Sequence, residues 1–179
     1  MKKFRFKSLL LFVFIISTFS SCYENCPAFP ESLTHYFPYS TGQLIKFENE
    51  KNDTIFFSVD GCSTSKDYSR YIFSKEICIA EYTVLLVNNN YSSIQLTVLA
   101  DDEGVLLNIQ FMQAHGLDFF ETKVNGVNPF LEKSNQIFGK TLTLTLDKSY
   151  HVSNVKIEIN KGIVQFTDIN TNSVWHLIE

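Results

Sequence analysis

The feature that most constrains the fold is a strict alternation of apolar and polar residues in many short segments. Residues 141–146 read Thr-Leu-Thr-Leu-Thr-Leu, and similar alternation runs through 105–112. A period of two residues places every second side chain on one face of an extended strand, whereas a helix repeats every 3.6 residues. The pattern therefore predicts half-buried β-strands.

About ten such segments recur, separated by short polar turns that are typical of antiparallel hairpins. The predicted strands are 43–48, 53–60, 77–88, 93–100, 105–112, 116–124, 141–146, 150–159, 163–167 and 174–178. The polar stretch 63–75 is expected to leave the sheet, and 129–138 has room for one short helix at most. We predict an all-β fold with a single antiparallel domain: a sandwich, a curved sheet or a partly open barrel.

The N-terminus has the layout of an export signal. Four basic residues and no acidic residue precede the apolar run Leu9–Ile16, and small residues then lead to Cys22. This order defines a secretory signal peptide. The twelve residues 8–19 are too few for a membrane-spanning helix, which needs about 20 apolar residues. We predict a cleaved signal at 1–21, a tether and lead-in at 22–42, and a β domain at 43–179.

Phe19-Ser20-Ser21-Cys22 resembles a bacterial lipobox, in which the cysteine is diacylated and becomes the new N-terminus. The usual pattern has leucine where this chain has Phe19, and an aromatic residue there is similar to lipoproteins of Bacteroidota. The resemblance implies palmitate or a related acyl group on Cys22, and a membrane as partner. Two or three acyl chains anchor a protein stably, whereas one is marginal. Ordinary cleavage after Ser21, leaving a thiol at Cys22, is the alternative.

The C-terminal segment carries a second resemblance. Gly162-Ile163-Val164-x-Phe166-x-Asp168, followed by Trp175-x-Leu177, is similar to the tail of many uncharacterised Bacteroidota lipoproteins. This resemblance implies export and a β fold, and it carries no activity. The motif also has a structural interpretation, since Gly162 suits a turn with positive φ, Asp168 suits the next turn, and Trp175 can cover a core face.

The residues after Cys22 indicate in which membrane of the envelope the protein is located. Tyr23-Glu24-Asn25 lacks both an aspartate directly after the cysteine, which would resemble an inner-membrane retention signal, and a strong acidic run for surface export. The outer membrane is therefore the preferred location. All nineteen acidic residues but only eleven of the fifteen basic ones follow Cys22, so the mature chain carries a formal charge of −8. Such a chain is a poor nucleic-acid binder.

Export also means an oxidising compartment, in which Cys26, Cys62 and Cys78 can form one disulfide. Cys62 follows a predicted strand and Cys78 opens the next, so Cys62–Cys78 is favoured. That bridge would close a loop of about 15 residues, worth ~3 kcal/mol. Cys26 could instead pair with either. No CxxC or nearby histidine has the spacing of a metal site, and no metal or other cofactor is predicted.

No catalytic motif is present in the sequence: there is no HExxH, GxSxG, P-loop or GxGxxG. The densest polar knot is His115-Gly116-Leu117-Asp118, where a general base could lie. Asp101-Asp102-Glu103 could bind calcium weakly, although a solvated turn is favoured. Asp53-Thr54-Ile55 resembles the O-glycosylation sequon of Bacteroidota, which makes Thr54 a candidate site, unless Thr54 simply starts a strand.

Aromatic residues crowd the lead-in at Phe29, Tyr36, Phe37 and Tyr39. If exposed, they could stack on sugars or fill a groove of a partner; if buried, as favoured, they are the first part of the core. The favoured function is a lipid-anchored envelope protein that acts as a non-catalytic binding or scaffolding module for a protein or glycan. A carrier of a lipid or other amphiphile in a curved-sheet cavity is the alternative, and a hydrolase is third.

Overall fold

The computed structural model describes residues 26–69, 77–88, 92–113, 116–130, 137–147 and 149–178. Within these ranges the chain forms one four-residue helix and ten strands. In chain order they are α1 (Glu31–Thr34), β1 (Leu44–Asn49), β2 (Thr54–Ser69), β3 (Ile77–Val87), β4 (Ser93–Ala100), β5 (Gly104–Gln113), β6 (Gly116–Asn125), β7 (Thr141–Thr145), β8 (Val152–Glu158), β9 (Gly162–Asp168) and β10 (Ser173–Ile178). No helix among the described residues is long and apolar enough to cross a membrane.

All ten strands belong to one antiparallel sheet, in the order β6-β5-β4-β3-β2-β1-β10-β9-β8-β7. The strands β1–β6 form one meander and β7–β10 another, and a ladder that pairs Lys46 with Ile178 joins the two. The sheet curls into a nearly closed barrel. Its edge strands β6 and β7 approach each other without a ladder, at what we call the seam. The predicted all-β antiparallel class is confirmed, and the form is a nearly closed barrel.

The interior is filled by alternate side chains of the strands. Phe47 and Phe111 both pack against Phe166, with ring centroids 5.1 Å and 5.7 Å away. Phe57 and Phe120 extend this cluster on either side. Burial of one such side chain stabilises the fold by about 1.5–3 kcal/mol. The inward-facing residues of the alternating segments thus fill the barrel with aromatic side chains.

One end of the barrel is covered by the lead-in, residues 26–42, and we call it the closed end. Tyr36, Phe37 and Tyr39 are buried there, at 7% exposure or less. The hydroxyl of Tyr39 accepts a hydrogen bond from the N–H of Ile163 at 2.7 Å, and the hydroxyl of Tyr82 donates to the carbonyl of Phe37 at 3.0 Å. The prediction that the lead-in aromatic residues are buried is confirmed for these three, and Phe29 is partly buried against the core.

The longest strand, β2, continues well past its ladder with β1, which ends at Ser58. Residues 61–69 pair with β3 as far as Ser69 opposite Ile77, and together they form what we call the arm. The prediction that 63–75 leaves the sheet is therefore wrong for 63–69, whereas 70–76 lie outside the described residues. Ser63 to Lys66 are exposed. A strand whose side chains face water carries no apolar alternation, and the ladder to β3 holds it extended.

The register of the arm overturns the predicted Cys62–Cys78 disulfide. Cys62 lies opposite Val84, six residues from Cys78 along β3, and this is roughly 20 Å at the rise of a strand. A disulfide requires Cα atoms within about 7 Å. Cys78 is instead bonded to Cys26, with Cα atoms 5.3 Å apart. Cys62 is a free thiol that donates to the carbonyl of Tyr39 at 3.3 Å.

The single described helix, α1, lies in the lead-in, where the sequence pattern gave no signal for it. Residues 131–136, the centre of the segment with room for a helix, lie outside the described residues. Residues 129–130 and 137–138 on either side of that gap form turns. The helix α1 carries Leu33 into the closed end, where this side chain is fully buried.

Replacement of Gly162 by alanine is expected to lower the free energy of unfolding by about 3 kcal/mol. Gly162 has φ +81°, and a Cβ atom there would overlap the phenol of Tyr39. A left-handed conformation costs an L-residue roughly 1–2 kcal/mol, and overpacking adds about as much. Gly126→Ala is the control, because Gly126 has φ +77° with nothing within 4 Å of the added atom. Equal losses in chemical denaturation would contradict the role of Tyr39.

Candidate functional site

No described segment covers the end of the barrel opposite the lead-in, and we call this end the mouth. It lies where β1, β5 and β9 end and where β2, β4 and β10 begin. A recess of about 50 Å³ enters the barrel there. Its walls are largely apolar and include Ile55, Phe57, Ile94, Phe111 and Trp175. The aromatic core closes it from below, so the recess is shallow.

Polar groups border the same recess. Ser92 and Ser93 come from the start of β4, Gln113 from the end of β5, and Asp168 from the end of β9. Asp168 is the only charged side chain among the lining residues that the structure describes. An apolar recess with a few convergent polar groups is the usual form of a binding site.

The β9–β10 hairpin positions the two most distinctive groups of the recess. Asp168 lies opposite Ser173, and Phe166 lies opposite Trp175, so Asp168 and Trp175 are diagonal neighbours on the inner face. The indole stacks on the ring of Phe166, with centroids 6.2 Å apart and planes 16° apart. The Oδ1 atom of Asp168 accepts the N–H of Asn170 at 2.8 Å, which closes the turn between the strands. The structural roles predicted for Gly162, Asp168 and Trp175 are confirmed.

The seam beside the mouth is closed by one carboxylate. Asp118 of β6 is 2% exposed. Its Oδ1 accepts the N–H of Tyr150 at 2.6 Å, and its Oδ2 accepts the N–H groups of His151 and Val152 at 2.7 Å each. These donors lie at and just before the start of β8, across the seam. Asp118 therefore substitutes for the missing β6–β7 ladder at this end of the barrel.

The structure gives no support for a general base in the described part of the polar knot at 115–118. The carboxylate of Asp118 is occupied by three backbone donors, and the Nδ1 atom of His151 lies 2.6 Å from the amide nitrogen of Asn170. Neither group is directed at the other as a base and its orienting partner would be. His115 lies outside the described residues. In the described part of the knot, Asp118 is a structural clamp.

No family model, curated protein or solved structure matches this chain. The chemistry of the recess and the layout of the chain are therefore the basis for assigning a function.

The remaining sequence-predicted sites are dispersed. Cys22 and Phe19 lie outside the described residues. Thr54 is exposed at the start of β2, near the mouth, so it does start a strand, and glycosylation there stays a prediction. Asp101 uses Oδ1 to accept the N–H groups of Glu103 and Gly104, at 2.8 Å and 2.7 Å, as a polar turn does. Among the described residues, no three His, Cys, Asp or Glu side chains gather as metal ligands.

A second apolar surface lies outside the barrel, between β1, β2 and β10. This outer groove has a volume of about 430 Å³, and Leu44, Phe56 and Leu177 contribute to it. Lys46 lies over the ring of Phe56, with its Nζ 5.9 Å from the centroid. Leu44 is 63% exposed. The groove is wide and open to water, whereas the recess is narrow and more enclosed.

Buried tyrosines at the closed end make the fold sensitive to alkaline pH. Burial raises the pKa of Tyr82 from 10.0 to about 12, and the neighbouring Cys62 side chain adds to this shift. Burial likewise raises the pKa of Tyr39, although the N–H of Ile163 opposes it. The neutral phenol is thus favoured in the folded state. The stability that it contributes is fully present below pH 10 and is lost as the pH rises toward about 12.

The free energy of unfolding is accordingly expected to fall between pH 10 and 12. Urea denaturation across this range, with tyrosinate absorbance recorded in parallel, measures it. The variant Tyr82→Phe is expected to show a shallower fall, whereas Tyr150→Phe, at a position 66% exposed, should match the wild type. An identical fall in the Tyr82→Phe variant would assign the effect to other groups.

Proposed function

We propose that this chain is an exported protein of the cell envelope, anchored in the outer membrane by acyl chains on Cys22. We further propose that its barrel is a non-catalytic binding module for a protein or glycan of the envelope. The signal peptide and lipobox pattern support the anchor. The enclosed apolar recess, bordered by a carboxylate, carries the proposal of binding.

The disulfide supports an orientation for this module. Cys26 follows Cys22 by four residues, a span of at most about 14 Å. The Cys26–Cys78 bond fastens this short tether to the arm, beyond the closed end. Cys78 and Val87 are nine residues apart on β3, roughly 30 Å along the strand, and Val87 pairs with Ser93 of the recess. An anchored barrel would therefore present its mouth away from the bilayer.

Replacement of Cys22 by serine in a native-type host tests the anchor. The variant is expected to lose incorporation of labelled palmitate and to leave the membrane fraction. Cys62→Ser is the matched control, because it removes a cysteine that is neither lipidated nor disulfide-bonded in this account. Retention of label and of membrane association by Cys22→Ser would refute the proposal.

Site-specific photocrosslinking in intact cells tests binding at the mouth. A photoreactive residue in place of Gln113, at the recess, is expected to give a discrete adduct. The same residue in place of Thr143, which is exposed on the outer face of β7, is the control. Adducts that are absent at Gln113, or equal at both positions, would count against a module that binds through its mouth.

Transport of an amphiphile is the second candidate function, and the outer groove is the observation in its favour. The recess is too small for it, since ligand pockets usually measure about 300–1,000 Å³. The groove offers apolar floor residues beside Lys46, which suits an anionic headgroup. Native mass spectrometry of protein purified from membranes decides this point. A bound lipid beyond the anchor supports transport, and its absence removes the candidate.

We also propose O-glycosylation of Thr54 during export. The exposure of Thr54 at a strand start supports access by a transferase. Intact mass measurement of the protein from its native host is expected to exceed the polypeptide mass by a glycan that Thr54→Ala lacks. Equal glycan mass in the two proteins would place the modification elsewhere or exclude it.

A further inference from the structure

We propose that the recess receives the end of one lysine or arginine side chain from an extended segment of a partner protein, and that a small aliphatic side chain of the same segment contacts the apolar rim of the recess. This inference rests on the proposed binding function and specifies the partner of the same site. It follows from the size, charge and aromatic content of the recess.

The size of the recess limits the ligand to a small group. A volume of about 50 Å³ has room for about four water molecules. Whole small molecules need a pocket several times larger. One side-chain terminus fits, while the rest of its chain remains outside the barrel. A macromolecular partner is thereby favoured over a free metabolite.

The charge at the mouth favours a cation. Asp168 is the one charged group among the described lining residues. The β1–β2 and β7–β8 connections at this end carry three acidic residues, Glu50, Asp53 and Asp147, and two basic ones, Lys51 and Lys148. The mature chain as a whole is acidic, at −8. Charge complementarity of this kind speeds association and selects a basic partner.

The aromatic wall adds a second contact for the same cation. The indole of Trp175 and the carboxylate of Asp168 are diagonal neighbours across the β9–β10 ladder, which places their Cα atoms roughly 7–8 Å apart. An ammonium or guanidinium group within about 6 Å of an indole face gains cation–π attraction. A group between the two would also make a charge-assisted hydrogen bond to the carboxylate.

The apolar walls account for the aliphatic neighbour and discriminate against other ligands. Ile55 and Met112 line the recess and remain partly exposed, so they gain from contact with an apolar group. A neutral glycan has no positive charge to pair with Asp168. A free amine has no aliphatic group to contact the apolar walls. An extended peptide presents side chains two residues apart on the same face, roughly 7 Å from each other, so a basic and an aliphatic residue at positions i and i+2 satisfy both.

Trp175 is the only tryptophan of the chain, so its fluorescence reports on the recess directly. The full mature lipoprotein in detergent is titrated with N-acetyl-Val-Ser-Arg-amide and with N-acetyl-Val-Ser-Glu-amide, in which the aliphatic and the charged side chain share one face of an extended chain. The arginine peptide is expected to shift the emission saturably, and the glutamate peptide to leave it unchanged. Argininamide alone is expected to bind at least about tenfold more weakly than the arginine peptide, because it lacks the aliphatic contacts.

The variant Asp168→Asn is expected to weaken binding of the arginine peptide by about tenfold or more. Asparagine keeps the Oδ1 acceptor for the N–H of Asn170, so the turn is retained, and an unchanged thermal transition checks this. Glu121→Gln removes a charge from the exposed face of β6 and is expected to bind as the wild type does.

Equal binding of both peptides, or full affinity in Asp168→Asn, would overturn this inference. Equal affinity for argininamide would show a site for a free cation and would overturn the partner-segment assignment. These failures are distinguishable from a failure of the proposed function. If the Gln113 crosslink persists in Asp168→Asn, the barrel still binds a partner at its mouth, but not through a cation at Asp168. If the wild type gives no crosslink at Gln113, the proposed binding function itself is refuted.

Discussion

Replacement of Asp118 by alanine is expected to lower the free energy of unfolding by about 4 kcal/mol. The substitution leaves the N–H groups of Tyr150, His151 and Val152 without their acceptor. A hydrogen bond to a charged group contributes about 1.5–3 kcal/mol, and a buried donor without a partner is costly. The seam has no ladder to compensate for the loss. Guanidinium denaturation followed by circular dichroism measures the change.

Glu121→Ala is the matched control for this experiment, because Glu121 is an exposed carboxylate on the same strand. Surface substitutions of this kind usually change stability by at most about 0.5 kcal/mol. Hydrogen exchange adds a local measurement, since the amides of residues 150–152 should lose protection in Asp118→Ala before those of β3 do. Losses below about 1 kcal/mol in Asp118→Ala would show that the seam is held by other contacts.

Replacement of Cys78 by serine is expected to cost about 4 kcal/mol of unfolding free energy. The Cys26–Cys78 bond closes a loop with a sequence separation of 52 residues, and chain entropy assigns about that value to such a loop. The substitution also releases the lead-in, whose aromatic side chains cover the closed end. Chemical denaturation under non-reducing conditions measures the loss.

The control variant Cys62→Ser distinguishes the two disulfide pairings. With Cys26–Cys78 bonded, Cys62→Ser is expected to change stability by about 1 kcal/mol or less and to retain the cross-linked peptide in a non-reducing digest. A Cys62–Cys78 bond would make this variant lose the cross-link and as much stability as Cys78→Ser loses. That second result would contradict the register of the arm.

Most strands could be predicted because a strand with one buried face alternates apolar and polar residues along the sequence. The segment 93–100 matches β4 residue for residue, and 141–146 matches β7 to within one residue. The same pattern does not predict the arm, because the described side chains Ser63 to Lys66 are all exposed. Exposed strand residues such as Ser63 and Lys66 have no apolar face to alternate, and only the partner strand determines their conformation.

The disulfide and the recess depend on register, which sequence pattern does not encode. Cys62 and Cys78 look adjacent if 63–75 is a loop, yet the ladder separates them by six residues. Asp168 and Trp175 were recognised as a turn residue and a core residue, and both roles are confirmed. That they meet beside one recess follows from the pairing of Phe166 with Trp175, a tertiary fact. The clamp at Asp118 likewise depends on the seam between two distant strands.

In the proposed orientation the closed end is tethered to the bilayer and the mouth faces outward. The most direct test measures Trp175 fluorescence in the lipidated protein reconstituted into vesicles with brominated acyl chains, using only protein that floats with the vesicles. With the recess roughly 30 Å along β3 from the tethered cysteine pair, the emission is expected to equal that in unbrominated vesicles. Strong quenching by the brominated lipid would place the mouth in the membrane and contradict this account.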